Sequence, residues 1–425
     1  MQLSLFETPE PAATSLRSST FVDNLKLPVH RWFRYSAGFS AKWVESVIAE
    51  AAANGPVRVL DPFAGSGTTL ICAEDCGVES YGIESHPLIS RIARAKLARR
   101  SDAAAYRRFA RSVLAAARAI PPSIERYPHL IRKCYRDHVL RDLDQLRTAY
   151  ERHADGSPAS ELTWLTLIAI LRKVSHVGTA QWQYVLPRKS KKNAEQAFPA
   201  FEEMSGVVHY DMRRSSGTDR PRSSCVEGDA RTCDGIPSRF ATLVVTSPPY
   251  PNNYDYADAT RLEMTFLGEI SGWGDLQQTV RRHLVRSCSQ HVPQRAVQLS
   301  RVLAMPELSP IHEEISSVCH ELARIRRSKG GRKTYHLMVA CYFFDMAQVW
   351  QALRKVCDSP SRICFVIGDS APYGVYVPVI DWMERLAVAA GFTNFQFEKT
   401  RDRNVKWKNR KHRVPLCEGR FWVEG

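Results

Sequence analysis

The sequence predicts an α/β fold with an open, mostly parallel sheet and helices around it. Two short apolar runs, Val57–Leu60 and Ala241–Val245, have the length of buried strands, and each ends in a polar turn. A third run, Ser80–Ile83, follows the first after a stretch with helical spacing. Because ligands bind at the carboxyl ends of the strands in open α/β sheets, the two turns are the candidate functional sites.

The first turn combines glycines with an acidic residue further along the chain. It reads Asp61-Pro-Phe-Ala-Gly-Ser-Gly-Thr-Thr69, in which Gly65 and Gly67 permit a tight strand-to-helix turn and a close approach to a ligand. Glu84 ends the next predicted strand at about the 20-residue spacing of the acid that binds the ribose in a nucleotide-binding βαβ unit. The pattern favours a nucleotide cofactor site; the alternative is a tight turn followed by an unrelated acid.

The second turn offers polar groups suited to a nucleobase. Two prolines in Thr246-Ser-Pro-Pro-Tyr250 cannot extend a central strand, so the chain must turn there. The turn presents the Ser247 hydroxyl, the Pro248 carbonyl and the Tyr250 ring. An exocyclic amino group could hydrogen-bond to the two oxygens while its base stacks on the ring, which indicates chemistry on a nucleobase amino group.

Together the two turns resemble the motifs of the S-adenosylmethionine-dependent amino methyltransferases of DNA. Pro28–Ser40 is similar to the element before the cofactor motif of that family, and residues 251–263 are similar to the segment after its catalytic motif. Serine at position 247 is typical of the cytosine-N4 branch, whereas adenine-N6 enzymes usually carry Asp or Asn there. The resemblance implies a Rossmann-like class I methyltransferase sheet, S-adenosylmethionine as cofactor, and methyl transfer to the N4 amino group of a cytosine flipped out of duplex DNA.

The resemblance also implies roles for individual residues. The catalytic residues would be Ser247, Pro248, Pro249 and Tyr250. The cofactor-binding residues would be Phe39, Ser40, Asp61, Phe63, Ala64, Gly65, Ser66, Gly67, Thr68, Glu84, Asp229 and Thr246, with Glu84 at the ribose and Asp229 at the adenine amino group. Three alternatives remain open: an adenine-N6 DNA methyltransferase, an enzyme acting on RNA, and a non-catalytic nucleic-acid-binding protein on the same fold.

The chain divides into an interrupted catalytic domain and two insertions. In chain order, the strand predicted after Ser80–Ile83 is Cys225–Asp229. It comes far later than a complete βαβ unit requires, so more than a hundred residues are inserted before it. The predicted division is a tail at 1–22, catalytic parts at 23–91, 223–269 and 335–425, a mostly helical insertion at 92–222, and a second insertion at 270–334. In many serine-motif enzymes the two motifs occur in the opposite order, so the target-recognition region stays open; 92–222 is favoured over 270–334.

The charge of the chain predicts a nucleic-acid partner. Its formal net charge is +15 and its isoelectric point is about 9.4. Basic, amide and aromatic residues are interleaved at 180–192, and seven cations lie in 401–413. The predicted DNA-binding residues are Gln181, Trp182, Arg188, Lys189, Lys191, Lys192, Arg403, Lys406, Lys408 and Arg410. The alternative for these segments is a solvated basic loop.

Other features exclude several classes of protein. The eleven cysteines include no Cys-x-x-Cys pair, which favours reduced thiols and a cytoplasmic location and predicts no metal site. No Pro-Cys pair is present, which argues against covalent attack on cytosine C5. The chain has no apolar run near the ~20 residues that span a bilayer and no signal peptide, so no membrane association is expected.

The first residues suggest a further partner. Gln2–Phe6 resembles the short peptide by which bacterial proteins dock on the replication sliding clamp. The alternative is that Leu3, Leu5 and Phe6 pack onto the catalytic domain as a terminal strand. The predicted partners are therefore double-stranded DNA, a cognate restriction endonuclease, and the sliding clamp.

Overall fold

A seven-stranded sheet forms the centre of the protein. The structure, a computed structural model, describes residues 21–35, 38–180, 184–215, 221–252, 254–292, 297–331, 333–403 and 414–425. The described residues form this sheet and a separate two-stranded sheet of β3 and β4. The strands are β1 Arg58–Asp61, β2 Glu79–Glu84, β3 Val177–Thr179, β4 Val185–Ser190, β5 Ser224–Glu227, β6 Ala241–Thr246, β7 Cys357–Gly368, β8 Thr393–Asp402 and β9 Cys417–Glu424. The main sheet has the order β5-β2-β1-β6-β7-β9-β8, and β9 runs antiparallel to both of its neighbours.

The strand order reverses between β1 and β6, which pair in parallel. This is the switch point at which ligands bind in open α/β sheets. Both predicted turns therefore follow the carboxyl ends of adjacent strands, and they lie on the same side of the sheet. The mostly parallel sheet with helices around it confirms the predicted α/β, Rossmann-like class.

α-Helices connect the strands. They are α1 Ala41–Ala53, α2 Thr68–Asp75, α3 Pro87–Leu97, α4 Ala103–Ala117, α5 His129–Cys134, α6 Asp137–His153, α7 Pro158–Val174, α8 Ala197–Ser215, α9 Tyr256–Ala259, α10 Arg261–Leu267, α11 Leu299–Leu303, α12 His312–Ser328, α13 Tyr335–Val356 and α14 Val379–Ala389. None of the helices in the described ranges is both long and apolar enough to cross a membrane.

The two faces of the sheet bury different layers of the core. Val59 and Leu243 belong to a cluster with residues of α1 and α2, whereas the neighbouring Leu60 and Val244 belong to a cluster with α13 and α14. This alternation follows from the period of two along a strand. Continuous burial on both faces explains why the strands read as apolar runs rather than as alternating patterns.

The region predicted as a mostly helical insertion contains α4 to α8 and the small antiparallel hairpin of β3 and β4. Its start at residue 92 falls inside α3, which packs against β5 of the main sheet and against α7. Pro187 lies within β4. The hairpin tolerates it because β4 pairs with β3 alone among the described strands, so its other edge needs no ladder hydrogen bonds.

Candidate active site

The glycine-rich turn after β1 has a backbone that only glycine adopts easily. Gly65 has φ +52° and Gly67, the N-cap of α2, has φ +86°. A Cβ atom on Gly65 would lie 2.9 Å from the ring of Tyr35. The turn is thus pressed against Tyr35, and both glycines are required by conformation or by space.

Asp61 joins the two motifs from inside the protein. Its buried carboxylate accepts hydrogen bonds from Thr69 Oγ1 at 2.6 Å, from Thr246 Oγ1 at 2.6 Å and from the Phe63 amide at 3.0 Å. Burial raises the pKa of Asp61 to about 6 although these hydrogen bonds favour its charged form. Asp61 therefore holds the turn after β1 against the end of β6, and the Thr246 hydroxyl is its hydrogen-bond donor from β6.

Glu84 lies at the end of β2 with its side chain directed at the same turn. Its Oε2 accepts from the Gly65 amide at 2.8 Å and its Oε1 accepts from the His86 amide at 2.8 Å. Burial raises the pKa of this carboxyl to about 7, although the backbone hydrogen bonds favour its charged form and lower the pKa. Each oxygen keeps a lone pair that can accept from a ligand hydroxyl.

A pocket opens between the two motifs and brings most of the predicted residues together. The predicted residues in its wall are Phe39, Phe63, Ala64, Gly65, Ser66, Thr68, Glu84, Ser247 and Pro249. The pocket also includes residues that were not predicted: Tyr35, Gly38, Ser85, His86, Tyr256, Leu284 and Val285. His86 follows Glu84 closely enough to have been considered, whereas Leu284 and Val285 come from the second insertion, where no local pattern marks them.

Some predicted cofactor residues lie elsewhere. Ser40 is the buried N-cap of α1, where its hydroxyl accepts from the Trp43 amide. Asp229 does not line the pocket in the described structure, and both of its oxygens accept from the guanidinium of Arg231. The contact of Asp229 with the adenine amino group stays a prediction, because its carboxylate is 34% exposed and keeps a lone pair beside the three N–H groups of Arg231.

The catalytic motif is preformed at the end of β6. The Ser247 hydroxyl donates to the Val366 carbonyl at 3.3 Å, and Pro248 is buried beside it. Tyr250 is only 9% exposed, and the guanidinium carbon of Arg403 lies 4.9 Å from the centre of its ring. A base can therefore stack on that face of Tyr250 only if Arg403 moves away.

The loop after the catalytic motif is anchored through Asp255. Its amide donates to the Tyr184 hydroxyl at 2.7 Å, and its carboxylate lies against the Arg281 guanidinium and 3.2 Å from His291 Nε2. Burial opposes its ionisation, yet His291 and Arg281 lower the pKa of Asp255 to about 2. Asp255, Cys288 and His291 form a buried group with the side chains of metal ligands. Within this group the Asp255 carboxylate is paired with Arg281 and His291.

The predicted DNA-binding residues fall into four sets. Arg403 lies over the Tyr250 ring and donates to the Asp369 carbonyl. Arg188, Lys189 and Lys192 are exposed on or just after β4. The ammonium of Lys191 instead donates to the carbonyls of Arg172 and Lys173 at the end of α7. Gln181, Trp182, Lys406, Lys408, Arg410 and the segment Gln2–Phe6 lie outside the described residues.

Known proteins resemble this chain over most of its length. A family model described as DNA methylase, N6_N4_Mtase, matches residues 13–95, which include the glycine-rich turn and Glu84. The Type II methyltransferase M.AvaI of Nostoc sp. is 24% identical, with 88% of this chain and 81% of that protein covered. The Type II methyltransferase M.BsoBI of Geobacillus stearothermophilus is 25% identical, with 87% and 79% covered. These matches support a DNA amino methyltransferase, and enzymes of this family use S-adenosylmethionine as methyl donor.

Proposed function

We propose that this chain is a site-specific DNA methyltransferase that transfers a methyl group to the N4 amino group of cytosine in duplex DNA. The observation that carries the proposal is Ser247, which lies at the carboxyl end of β6 and in the wall of the pocket that contains Glu84. A hydroxyl occupies the position where adenine-N6 enzymes usually have a carboxylate or an amide. The cytosine assignment rests on that difference.

The pocket has the groups that S-adenosylmethionine requires. The Gly65 turn allows close approach of a ligand, Glu84 presents carboxylate oxygens to hydroxyl groups, and Phe63 and Tyr256 supply apolar walls for a nucleoside. The cofactor would supply a methyl group activated by its sulfonium. Closure of the pocket by Leu284 and Val285 would exclude water from that group.

Ser247 and Pro248 would orient the target amine. Since the Ser247 proton is directed to the Val366 carbonyl, the lone pairs of Oγ are available to accept one amino N–H. The Pro248 carbonyl would accept the other, which turns the nitrogen lone pair toward the methyl carbon. Transfer forms the N–C bond, breaks the C–S bond with its electron pair passing to sulfur, and releases the amino proton to water. Orientation supplies much of the rate because no strong base is needed.

The target cytosine must leave the duplex to reach Ser247, because a stacked base cannot enter a pocket of this kind. We propose that Arg403 moves from Tyr250 as the flipped base arrives and that the base takes its place on the ring. Arg188, Lys189 and Lys192 on the hairpin would contact backbone phosphates, with 92–222 as the target-recognition region. Tyr184 ties this hairpin to the loop that follows the catalytic motif, which supports a role beside the active site.

The product decides this proposal. Purified protein, duplex DNA and S-adenosylmethionine should yield N4-methylcytosine in nucleoside mass spectrometry. Ser247→Ala should lower turnover about 100-fold, since it removes an oriented contact to the reacting group, while cofactor affinity stays within about twofold. N6-methyladenine as the product would overturn the base assignment, methylation of RNA alone would overturn the substrate, and no methylated product with either would favour a non-catalytic role.

Two partners follow from this function. Because the relatives above are named Type II methyltransferases, we propose that this chain belongs to a restriction-modification system with a cognate endonuclease. Chromosomal DNA from cells that produce the protein should resist that endonuclease. DNA from cells that produce Ser247→Ala should be cut, and equal cutting of both samples would contradict this partner.

The second partner is the replication sliding clamp. We propose that Gln2–Phe6 docks there, with Leu5 and Phe6 in an apolar pocket, which would raise the local concentration of enzyme at new DNA. A labelled peptide of residues 1–12 should bind purified clamp, and its Leu5→Ala plus Phe6→Ala form should not. Equally poor binding of both peptides would remove the clamp from the list of partners.

A further inference from the structure

His86 lies in the wall of the proposed cofactor pocket and takes no part in the methyl transfer proposed above. It lies two residues after the end of β2 at Glu84 and is the N-cap residue of α3, although its side chain makes no capping hydrogen bond. The ring is 2% exposed and lies in the same pocket wall as Glu84 and Ser85. Its position places it beside the acid that is expected to hold the ribose.

The Thr260 hydroxyl is the hydrogen-bond partner of the ring. Its Oγ1 lies 2.7 Å from His86 Nε2, 3.1 Å from the Ala257 carbonyl and 3.7 Å from Met264 Sδ. When Thr260 donates to that carbonyl, it accepts from Nε2, and in this tautomer Nδ1 carries a lone pair. Burial lowers the pKa of His86 to about 4, so the ring is neutral at ordinary pH.

Nδ1 is a buried acceptor that needs a donor. It has no hydrogen-bond partner within the described part of the chain. The backbone amide of His86 cannot serve, because it donates to Glu84 Oε1 at 2.8 Å. Leaving a buried acceptor unpaired costs about 1–3 kcal/mol, so a bound molecule gains affinity if a small turn of the ring brings Nδ1 to its N–H or O–H.

We propose that His86 Nδ1 accepts a hydrogen bond from the nucleoside half of S-adenosylmethionine, either from the adenine amino group or from a ribose hydroxyl. The inference rests on the proposed cofactor pocket. Asp229, the residue predicted for the adenine amino group, has its carboxylate engaged by Arg231 and lies outside the pocket wall. Glu84 has two oxygens for the ribose, and His86 supplies the next acceptor along the same wall. His86 thus contributes to recognition of the cofactor rather than to methyl transfer.

Two variants at this position separate the acceptor from the structural contact. His86→Gln can place an amide N–H near the position of Nε2 and keep the bond to Thr260, but it has no atom in place of Nδ1. His86→Asn can place its amide oxygen near the position of Nδ1 and keep the acceptor, but it cannot reach Thr260. Calorimetric titration of the full chain with S-adenosylhomocysteine, without DNA, should show about tenfold weaker binding for His86→Gln. His86→Asn should remain within about threefold of the wild type.

A purely structural role predicts the opposite order, with His86→Asn impaired and His86→Gln normal, and that order would overturn the inference. Wild-type protein provides a second measurement that needs no variant to fold. Analogues of S-adenosylhomocysteine with a 6-oxo purine, or lacking the 2′- or 3′-hydroxyl, each remove one donor. In the wild type, the analogue that lacks the true donor should bind about tenfold more weakly than S-adenosylhomocysteine. In His86→Gln, that analogue and S-adenosylhomocysteine should bind equally well, because the acceptor is already missing.

The analogue that behaves in this way identifies the donor as adenine or ribose. If every analogue loses the same affinity in the wild type and in His86→Gln, Nδ1 accepts from neither group and the inference fails. Binding is measured without DNA, so the outcome is separate from the identity of the methylated base. N6-methyladenine as the product would refute the cytosine assignment and leave this result unchanged.

Discussion

Asp61 and Glu84 show how the site uses buried carboxylates for two purposes. Asp61 is surrounded by protein donors and fixes one motif against the other. Glu84 receives two backbone donors and stays at the wall of the pocket, where its remaining lone pairs can meet hydroxyl groups. Both were predicted as cofactor residues from the same motif, and only their environments distinguish a positioning role from direct contact.

The raised pKa of Glu84 predicts a pH-dependent stability. The folded protein keeps a proton on this carboxyl up to a pKa of about 7, whereas the unfolded chain releases it near 4.5. The folded state therefore binds more protons between these values, and the free energy of unfolding falls as pH rises through that window. At about 1.4 kcal/mol per unit, the contribution of Glu84 is on the order of 3 kcal/mol.

Urea denaturation of the cofactor-free protein at pH 5 and pH 8 measures this effect. Glu84→Gln cannot titrate, so its loss of stability between the two pH values should be smaller than that of the wild type by about 3 kcal/mol. The difference between the two proteins is the relevant quantity, since His30 and His86, whose pKa values burial lowers, contribute in the opposite direction. Parallel pH profiles for the two proteins would contradict an ionisation of Glu84 near pH 7.

At the scale of elements, the sequence predicted the strands of the sheet better than the bounds of the helices. β1, β2 and β6 were found because their apolar runs end in residues that stop a strand. The start of α13 at Tyr335 is not marked in the sequence, because the helix is buried around most of its surface and its first turn carries no change of periodicity. Leu284 and Val285 could not be predicted for the pocket, since only tertiary packing brings the second insertion to it.

The β3–β4 hairpin allows a test of DNA contact at the scale of one element. Lys189 and Lys192 are exposed, so replacing both with Ala should weaken binding to all duplex sequences. Each phosphate contact contributes about 0.9 to the slope of log K against log salt, so this slope should become shallower by up to about 1.8. Fluorescence anisotropy with labelled duplex DNA over a range of salt concentrations gives the measurement.

Lys191 is the matched control on the same hairpin. Its ammonium donates to the carbonyls of Arg172 and Lys173, so Lys191→Ala should lower the melting temperature and leave the salt slope unchanged. The double variant should show the reverse. If the double variant keeps the wild-type slope, the phosphate contacts lie on another surface, and residues 401–413 become the next candidates.

At the scale of the whole molecule, Asp255 connects three parts of the chain that are distant in sequence. Tyr184 belongs to the region predicted as the helical insertion, Asp255 to the loop after the catalytic motif, and Arg281 and His291 to the second insertion. The side chains of Asp255 and Arg281 are 4% and 1% exposed. The pair lies where it can hold both insertions around the pocket, so its effect should extend beyond local stability.

Arg281→Ala tests this connection. Removing one partner of a buried ion pair leaves the other charge uncompensated, so the free energy of unfolding should fall by about 3–5 kcal/mol. Arg324, which pairs with Glu321 on an exposed face of α12, is the matched control, and Arg324→Ala should leave stability unchanged within error. Because Arg281 holds the loop that follows Ser247, its loss should also lower the methylation rate at a temperature where the variant is still folded. Asp255 is also the N-cap of α9, where its side chain accepts from the Ala257 amide. Equal and small effects of the two variants on urea denaturation would mean that the insertions are held by apolar packing, and that Asp255 serves only as this cap.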